Sequence, residues 1–97
     1  MKDIRYSFLF QTYGKLLTAL QAEMTEMYYS FDMSLAEIAE IKGVTRQSVS
    51  DTLKKVRAEL DGFEEKLGVT NRRLRLTAFA DTLPEKEKNK LLDILEK

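Results

Sequence analysis

Between Ser34 and Val56 the chain reads SLAEIAEIKGVTRQSVSDTLKKV, and no other stretch constrains the fold as strongly. Ser34 stands three residues ahead of Glu37. That is the S-x-x-E spacing of a capping box, in which each side chain satisfies the other residue's orphan backbone donor. Leu35, Ile38, Ala39 and Ile41 supply the apolar side of a short helix. Gly43 ends it, where a left-handed residue is wanted. Thr45 then caps a longer helix that runs from Arg46 toward Leu67. Ala39 is small where the two helices would cross, and Val44 is placed to plug the core from the turn. Ile38, Val49 and Leu53 complete the contact. Small, glycine and apolar positions in this order are what a helix-turn-helix requires sterically.

The rest of the chain reads as helix too. Its 97 residues hold four glycines and one proline. Asn-Gly and Asp-Gly hairpin signals are absent from the sequence. A first helix is predicted from about Ile4 to Leu17, with Phe8, Leu9, Tyr13, Leu16 and Leu17 on one face. Gly14 within it hints at close packing. Tyr6 and Phe10 widen the aromatic surface, either as core or as the face of a homodimer. Thr18 caps a second helix, Ala19 to Phe31, with Leu20, Met24, Met27, Tyr28 and Phe31 buried. The long helix carries Val49, Leu53, Val56, Leu60, Phe63 and Leu67 at three–four spacing and closes at Gly68. Thr70 is placed to cap a short helix from Asn71 to about Thr82. Leu83-Pro84 breaks the chain. A last helix, Glu85 to Glu96, has Leu91, Leu92 and Leu95 on one side.

The expected fold is therefore all-α, a compact helical domain of about five to six helices. Residues 1–69 form the helix-turn-helix domain, with the motif at 34–57. Residues 70–97 form a helical tail packed on it.

Composition removes whole classes of chemistry. Cysteine and histidine are both absent. Disulfides, Cys/His zinc sites, thiol nucleophiles and imidazole bases go with them. No glycine-rich phosphate loop, nucleophile elbow or metal-ligand spacing is present. Glu23, Glu26, Glu37 and Glu40 are expected on solvated helix faces. The reading is a non-enzyme with no cofactor and no metal. The start lacks a signal-peptide pattern, and no apolar run approaches the roughly 18 residues of a spanning helix. A cytoplasmic protein with no membrane partner is expected.

Formal net charge is +0, so any nucleic-acid site must be a local patch. From Thr45 to Ala80 there are eight basic residues against five acidic ones, a net +3. The exposed side of the long helix is the candidate reading surface. Thr45, Arg46, Gln47, Ser48, Ser50 and Asp51 lie at its start. Arg46 suits a guanine edge or a phosphate, and Gln47 suits adenine. Lys54, Lys55 and Arg57 follow as backbone contacts. Arg72, Arg73 and Arg75 are candidate accessory phosphate contacts, since arginines near a helix start gain nothing from its dipole. Against this, Asp51, Asp61, Glu64 and Glu65 repel phosphates, and a helix-turn-helix can equally bind protein.

The segment from Tyr6 to Val69 closely resembles the bacterial YlxM-like family. The features are F-x-x-Y-G-x-L-L-T from Phe10, Tyr28-Tyr29, S-L-A-E-I-A from Ser34, V-T-R-Q-S-V from Val44 and the closing F-E-E-K-L from Phe63. It is similar, more distantly, to region 4 of sigma factors. The resemblance implies an all-helical domain, commonly a dimer, in the service of the signal recognition particle pathway. That association comes from genes lying beside those of the particle's GTPase and its receptor. The implied partners are nucleic acid (particle RNA or DNA) or the pathway GTPase or its receptor. The alternative is a transcriptional regulator that reads duplex DNA.

Overall fold

The computed structural model describes residues 2–96. Six α-helices account for most of them: α1 (Ile4–Tyr13), α2 (Ala19–Thr25), α3 (Leu35–Lys42), α4 (Arg46–Leu67), α5 (Val69–Ala80) and α6 (Glu85–Glu96). No strand occurs among the described residues.

The long α4 is the spine, because its apolar stripe serves two clusters in turn. Val49 and Leu53 meet Ile38 and Ala39 of α3 and Met24 of α2. Val56 and Leu60 meet Leu9 and Tyr13 of α1. Tyr6 and Phe10 pack against this second cluster, so the aromatic surface of α1 is largely core. The close packing expected at Gly14 is present: a Cβ there would lie 2.9 Å from the Phe10 ring.

Caps fix the ends. Thr18 accepts from the Gln21 backbone, and the Gln21 side chain returns the bond, a capping box. Ser34 and Glu37 form the second box. Gly43 is left-handed at φ +67°. Its N–H donates to Glu40, and the N–H of Val44 donates to Ala39 at 3.0 Å. This is the six-to-one closure of a Schellman motif.

Several residues expected inside are outside. After Tyr13 the chain tightens into a 3₁₀ turn, Gly14–Leu16. Three residues per turn instead of 3.6 carries Leu16 outward and leaves Leu17 against the core. Residues Glu26–Ser30 form a π-turn, whose wider loop rotates Phe31 into solvent. Leu20, in the first turn of α2, is also exposed. The core line of α3 runs through Leu35, Ile38, Ala39 and the half-buried Lys42. Ile41 falls off that line and is 61% exposed. Val44 does not plug the core: it is committed by its backbone, and its side chain is exposed. Leu67, at the end of α4, is 51% exposed.

The tail begins earlier than expected. Thr70 is not a cap; α5 starts at Val69, with the left-handed Gly68 before it. The orphan donors of α5 are met from elsewhere. Tyr13 Oη accepts from Val69 N–H at 3.1 Å. The Glu64 carboxylate accepts from Thr70 N–H at 3.1 Å and Asn71 N–H at 2.9 Å. Tyr13 Oη in turn donates to Glu64 at 2.6 Å. Through these bonds α5 is held to α1 and α4, and α6 packs on α5. Leu91, Leu92 and Leu95 are half-buried there, and Ile94 is 69% exposed.

Candidate nucleic-acid interface

The motif is presented by α3, the Gly43–Thr45 turn and α4. Thr45 Oγ1 accepts from the Ser48 N–H at 3.0 Å, so this hydroxyl is spent on capping α4. Ser48 is half-buried as a consequence of its place in the capped turn.

At about 100° per residue the buried line through Val49, Leu53, Val56 and Leu60 fixes where the other side chains stand. Gln47 and Asp51 lie opposite that line, facing outward. Arg46, Ser50, Lys54 and Arg57 share one flank of α4. Ser48 and Lys55 share the other. Arg46, Lys54 and Lys55 are exposed, and Ser50 and Arg57 are half-buried. None of the four cations is in an ion pair with a described residue. From Thr45 to Ala58 the chain holds four basic residues and one acidic one, a local net +3.

The acidic residues weighed against this patch differ in what they do. Asp61 is spoken for: Arg5 pairs with it, and Tyr6 Oη donates to it at 2.8 Å. Burial pushes the Asp61 carboxyl up, but the bonds from Arg5 and Tyr6 outweigh it and hold the group below its ordinary value. The bond to Asp61 likewise raises the Arg5 guanidinium. Glu64 is turned into the α4–α5 junction. Burial raises it, and the bonds from Tyr13 and the backbone of Asn71 and Thr70 bring it below the usual range. Both stand in the second half of α4, beyond the reading residues. Asp51 alone remains among the cations, and Gln47 Nε2 donates to its Oδ1 at 2.8 Å. The sequence places Asp51 both at the start of the reading surface and as a source of repulsion; its i, i+4 spacing from Gln47 was the available signal for a pair.

The structure does not bring the second arginine cluster to the first. α5 leaves from the far end of α4, and roughly 30 Å of helix axis separates Arg46 from that end. Arg72 and Arg75 are exposed on α5. Arg73 donates to the carbonyl of Leu95 at 2.8 Å, tying α5 to α6. Lys2 was not singled out by its sequence context. Its ammonium donates to the carbonyls of Tyr28 at 2.8 Å and Met33 at 2.6 Å. It also pairs with Asp32 at 3.1 Å and sits 4.0 Å from the centre of the Tyr28 ring. All of this closes the loop before α3, so Lys2 is a fold residue. No group of three or more acidic side chains fit to hold a metal ion occurs among the described residues. No helix among the described residues is long and apolar enough to cross a membrane.

A capped short helix, a left-handed glycine and a long helix with solvent-facing cations define a helix-turn-helix protein. Comparison with known proteins agrees. The family described as "Putative helix-turn-helix protein, YlxM / p13 like" (UPF0122) matches residues 1–96, and the chain belongs to it. The match runs beyond Val69, where the visible resemblance stopped, and takes in the tail. The UPF0122 protein of a Thermoanaerobacter species is 50% identical over 66 residues, 68% of this chain and 56% of that protein. That of Symbiobacterium thermophilum is 46% identical over 86 residues, 88% of this chain and 80% of the relative. That of Clostridium acetobutylicum is 33% identical over 105 residues, 97% and 90% respectively. The chain thus spans just over half the length of the first of these relatives.

Proposed function

We propose that this protein is a non-enzymatic regulator that binds nucleic acid through α4 and works as a homodimer. One observation carries the reading. Arg46, Lys54 and Lys55 are exposed on the two flanks of a recognition helix, with Arg57 half-buried beside them, and none is consumed by an ion pair with a described residue. Cations left free on a helix that fits the major groove are what phosphate and base-edge contacts need. Thr45, Gln47, Ser48 and Ser50 complete the first two turns as positioning and reading groups. Arg72 and Arg75 are offered as accessory contacts, with Arg73 set aside as a structural bond. The resemblance to YlxM-like proteins supplies the setting, the signal recognition particle pathway in the cytoplasm.

A second reading has its own support. Ile41 and Val44 are exposed beside the turn, an apolar surface that a phosphate-rich ligand leaves uncovered. It favours a docked protein, and the pathway GTPase or its receptor is the first to test.

The experiment is one titration with four arms: duplex DNA, particle RNA, the GTPase and its receptor, each at several salt concentrations. Nucleic-acid binding is expected to weaken with salt, with a log–log slope of about −0.9 for each phosphate neutralised on a duplex. Arg46→Ala with Lys54→Ala should flatten that slope by about 0.9 per lost contact. Binding confined to a protein arm, unaffected by the double substitution, would replace this reading with the second.

A further inference from the structure

Asp51 is the one carboxylate among the reading residues. Asp51 is exposed on the outward side of the second turn of α4. Lys54 and Lys55 stand three and four residues on, within the usual reach of a helical ion pair. Asp51 takes neither of them and bonds Gln47 instead, Nε2 to Oδ1 at 2.8 Å. One oxygen is pinned and the other is left to face a ligand. On a phosphate-facing surface a free carboxylate lowers affinity through repulsion. A hydrogen-bond donor on the ligand offsets that repulsion.

Phosphates and thymine offer none in the major groove. The donors there are the exocyclic amines of cytosine and adenine. Adenine sets its N7 acceptor beside the amine, which suits an amide better than a carboxylate. Cytosine presents N4–H₂ with no acceptor on the same base edge in that groove. The early turns of a recognition helix are also where base edges are met. A-form RNA keeps its major groove too narrow for such an approach. Resting on the reading of α4 as a nucleic-acid interface, we infer that the ligand is duplex DNA and that Asp51 selects a cytosine in its major groove. Gln47 is the positioning residue that holds the carboxylate outward.

The test is selection from a randomised duplex pool with the full chain, followed by titration on the selected sites. Wild-type sites are expected to share a fixed cytosine, and exchanging that C·G pair should cost about tenfold in affinity. Asp51→Asn keeps the shape and removes the charge. It should lose the cytosine preference at that position and still bind random duplex at least as tightly as wild type. Gln47→Ala should weaken the preference and leave the salt slope unchanged. Circular dichroism checks that both variants, altered only at exposed side chains, remain folded. Sites selected by Asp51→Asn that keep the same cytosine would overturn the inference alone, as would wild-type binding with no sequence preference. Salt-sensitive binding to particle RNA with none to duplex DNA would also overturn the inference alone, whereas no salt-sensitive binding to either would remove the reading of α4 on which it rests.

Discussion

Glu64 shows how much a single side chain can organise. Its two oxygens accept from Tyr13 of α1 and from the first N–H groups of α5, so one carboxylate joins three helices. Hydrogen bonds to a charged acceptor contribute about 1.5–3 kcal/mol each when buried, and less where water competes. Glu64→Gln leaves the shape but sets an amide against backbone donors. A loss of about 1–2 kcal/mol at neutral pH is expected. The pH dependence follows from the direction of the shift. A carboxyl held below its ordinary value stabilises the fold fully above the unfolded value of about 4.3. That stabilisation is lost as pH falls through the lower folded value. The melting temperatures of wild type and Glu64→Gln should therefore differ at pH 7 and converge in acid. A gap that persists below about pH 3 would point to packing rather than charge. At this scale the sequence showed local partners and hid distant ones. Ser34 with Glu37 is three residues apart and legible; Tyr13 with Glu64 crosses 51 residues and is not.

Elements were legible where period and cap agreed. α4 runs from Arg46 to Leu67 and α6 from Glu85 to Glu96, as their spacing predicts. What escaped were changes of helical period: the 3₁₀ turn at Gly14–Leu16 and the π-turn at Glu26–Ser30. Neither shows in the apolar spacing, which is read at a constant 3.6 residues per turn. The sequence predicts α5 from Asn71 with Thr70 as its cap, whereas the helix starts at Val69 and its first N–H groups find acceptors on α1 and α4. The candidate site was legible in its cations and its turn, and the Gln47–Asp51 bond was not foreseen. The two-cluster arrangement of α4 makes its own prediction. Leu53→Ala and Leu60→Ala each empty a fully packed position, and each should cost about 2–5 kcal/mol. Leu53 serves the motif cluster and Leu60 the α1 cluster. Because one continuous helix joins them, both variants should still melt in a single transition seen alike by circular dichroism and tyrosine fluorescence. Two separated transitions would show that the clusters are independent units.

The whole molecule is longer than its residue count requires. Its radius of gyration is 16.0 Å, with extents of 50 × 26 × 23 Å. A compact chain of this length is expected near about 12–13 Å. Little of the tail is buried: in α5 and α6 only Thr70 and Ala80 are. Leu74, Leu76, Phe79 and Ile94 stay exposed, Phe79 at 57%. Helices with so little buried surface open at low free energy in isolation. A proposed homodimer gives this surface a use, and moves the expected interface from the aromatic side of α1 to the tail. Burial against a second copy would raise local stability by mass action, so protection of α6 should depend on protein concentration. Hydrogen exchange measured at low and high concentration reads this directly. The amides of α6 should exchange quickly when dilute and slow markedly when concentrated, while those around Leu53 and Leu60 stay protected throughout. Phe79→Glu with Ile94→Glu changes only exposed positions and should abolish the concentration dependence, leaving a monomer by sedimentation. Exchange in α6 that ignores both concentration and the double substitution would mean that the tail is not the interface, and that these apolar residues face water or another protein.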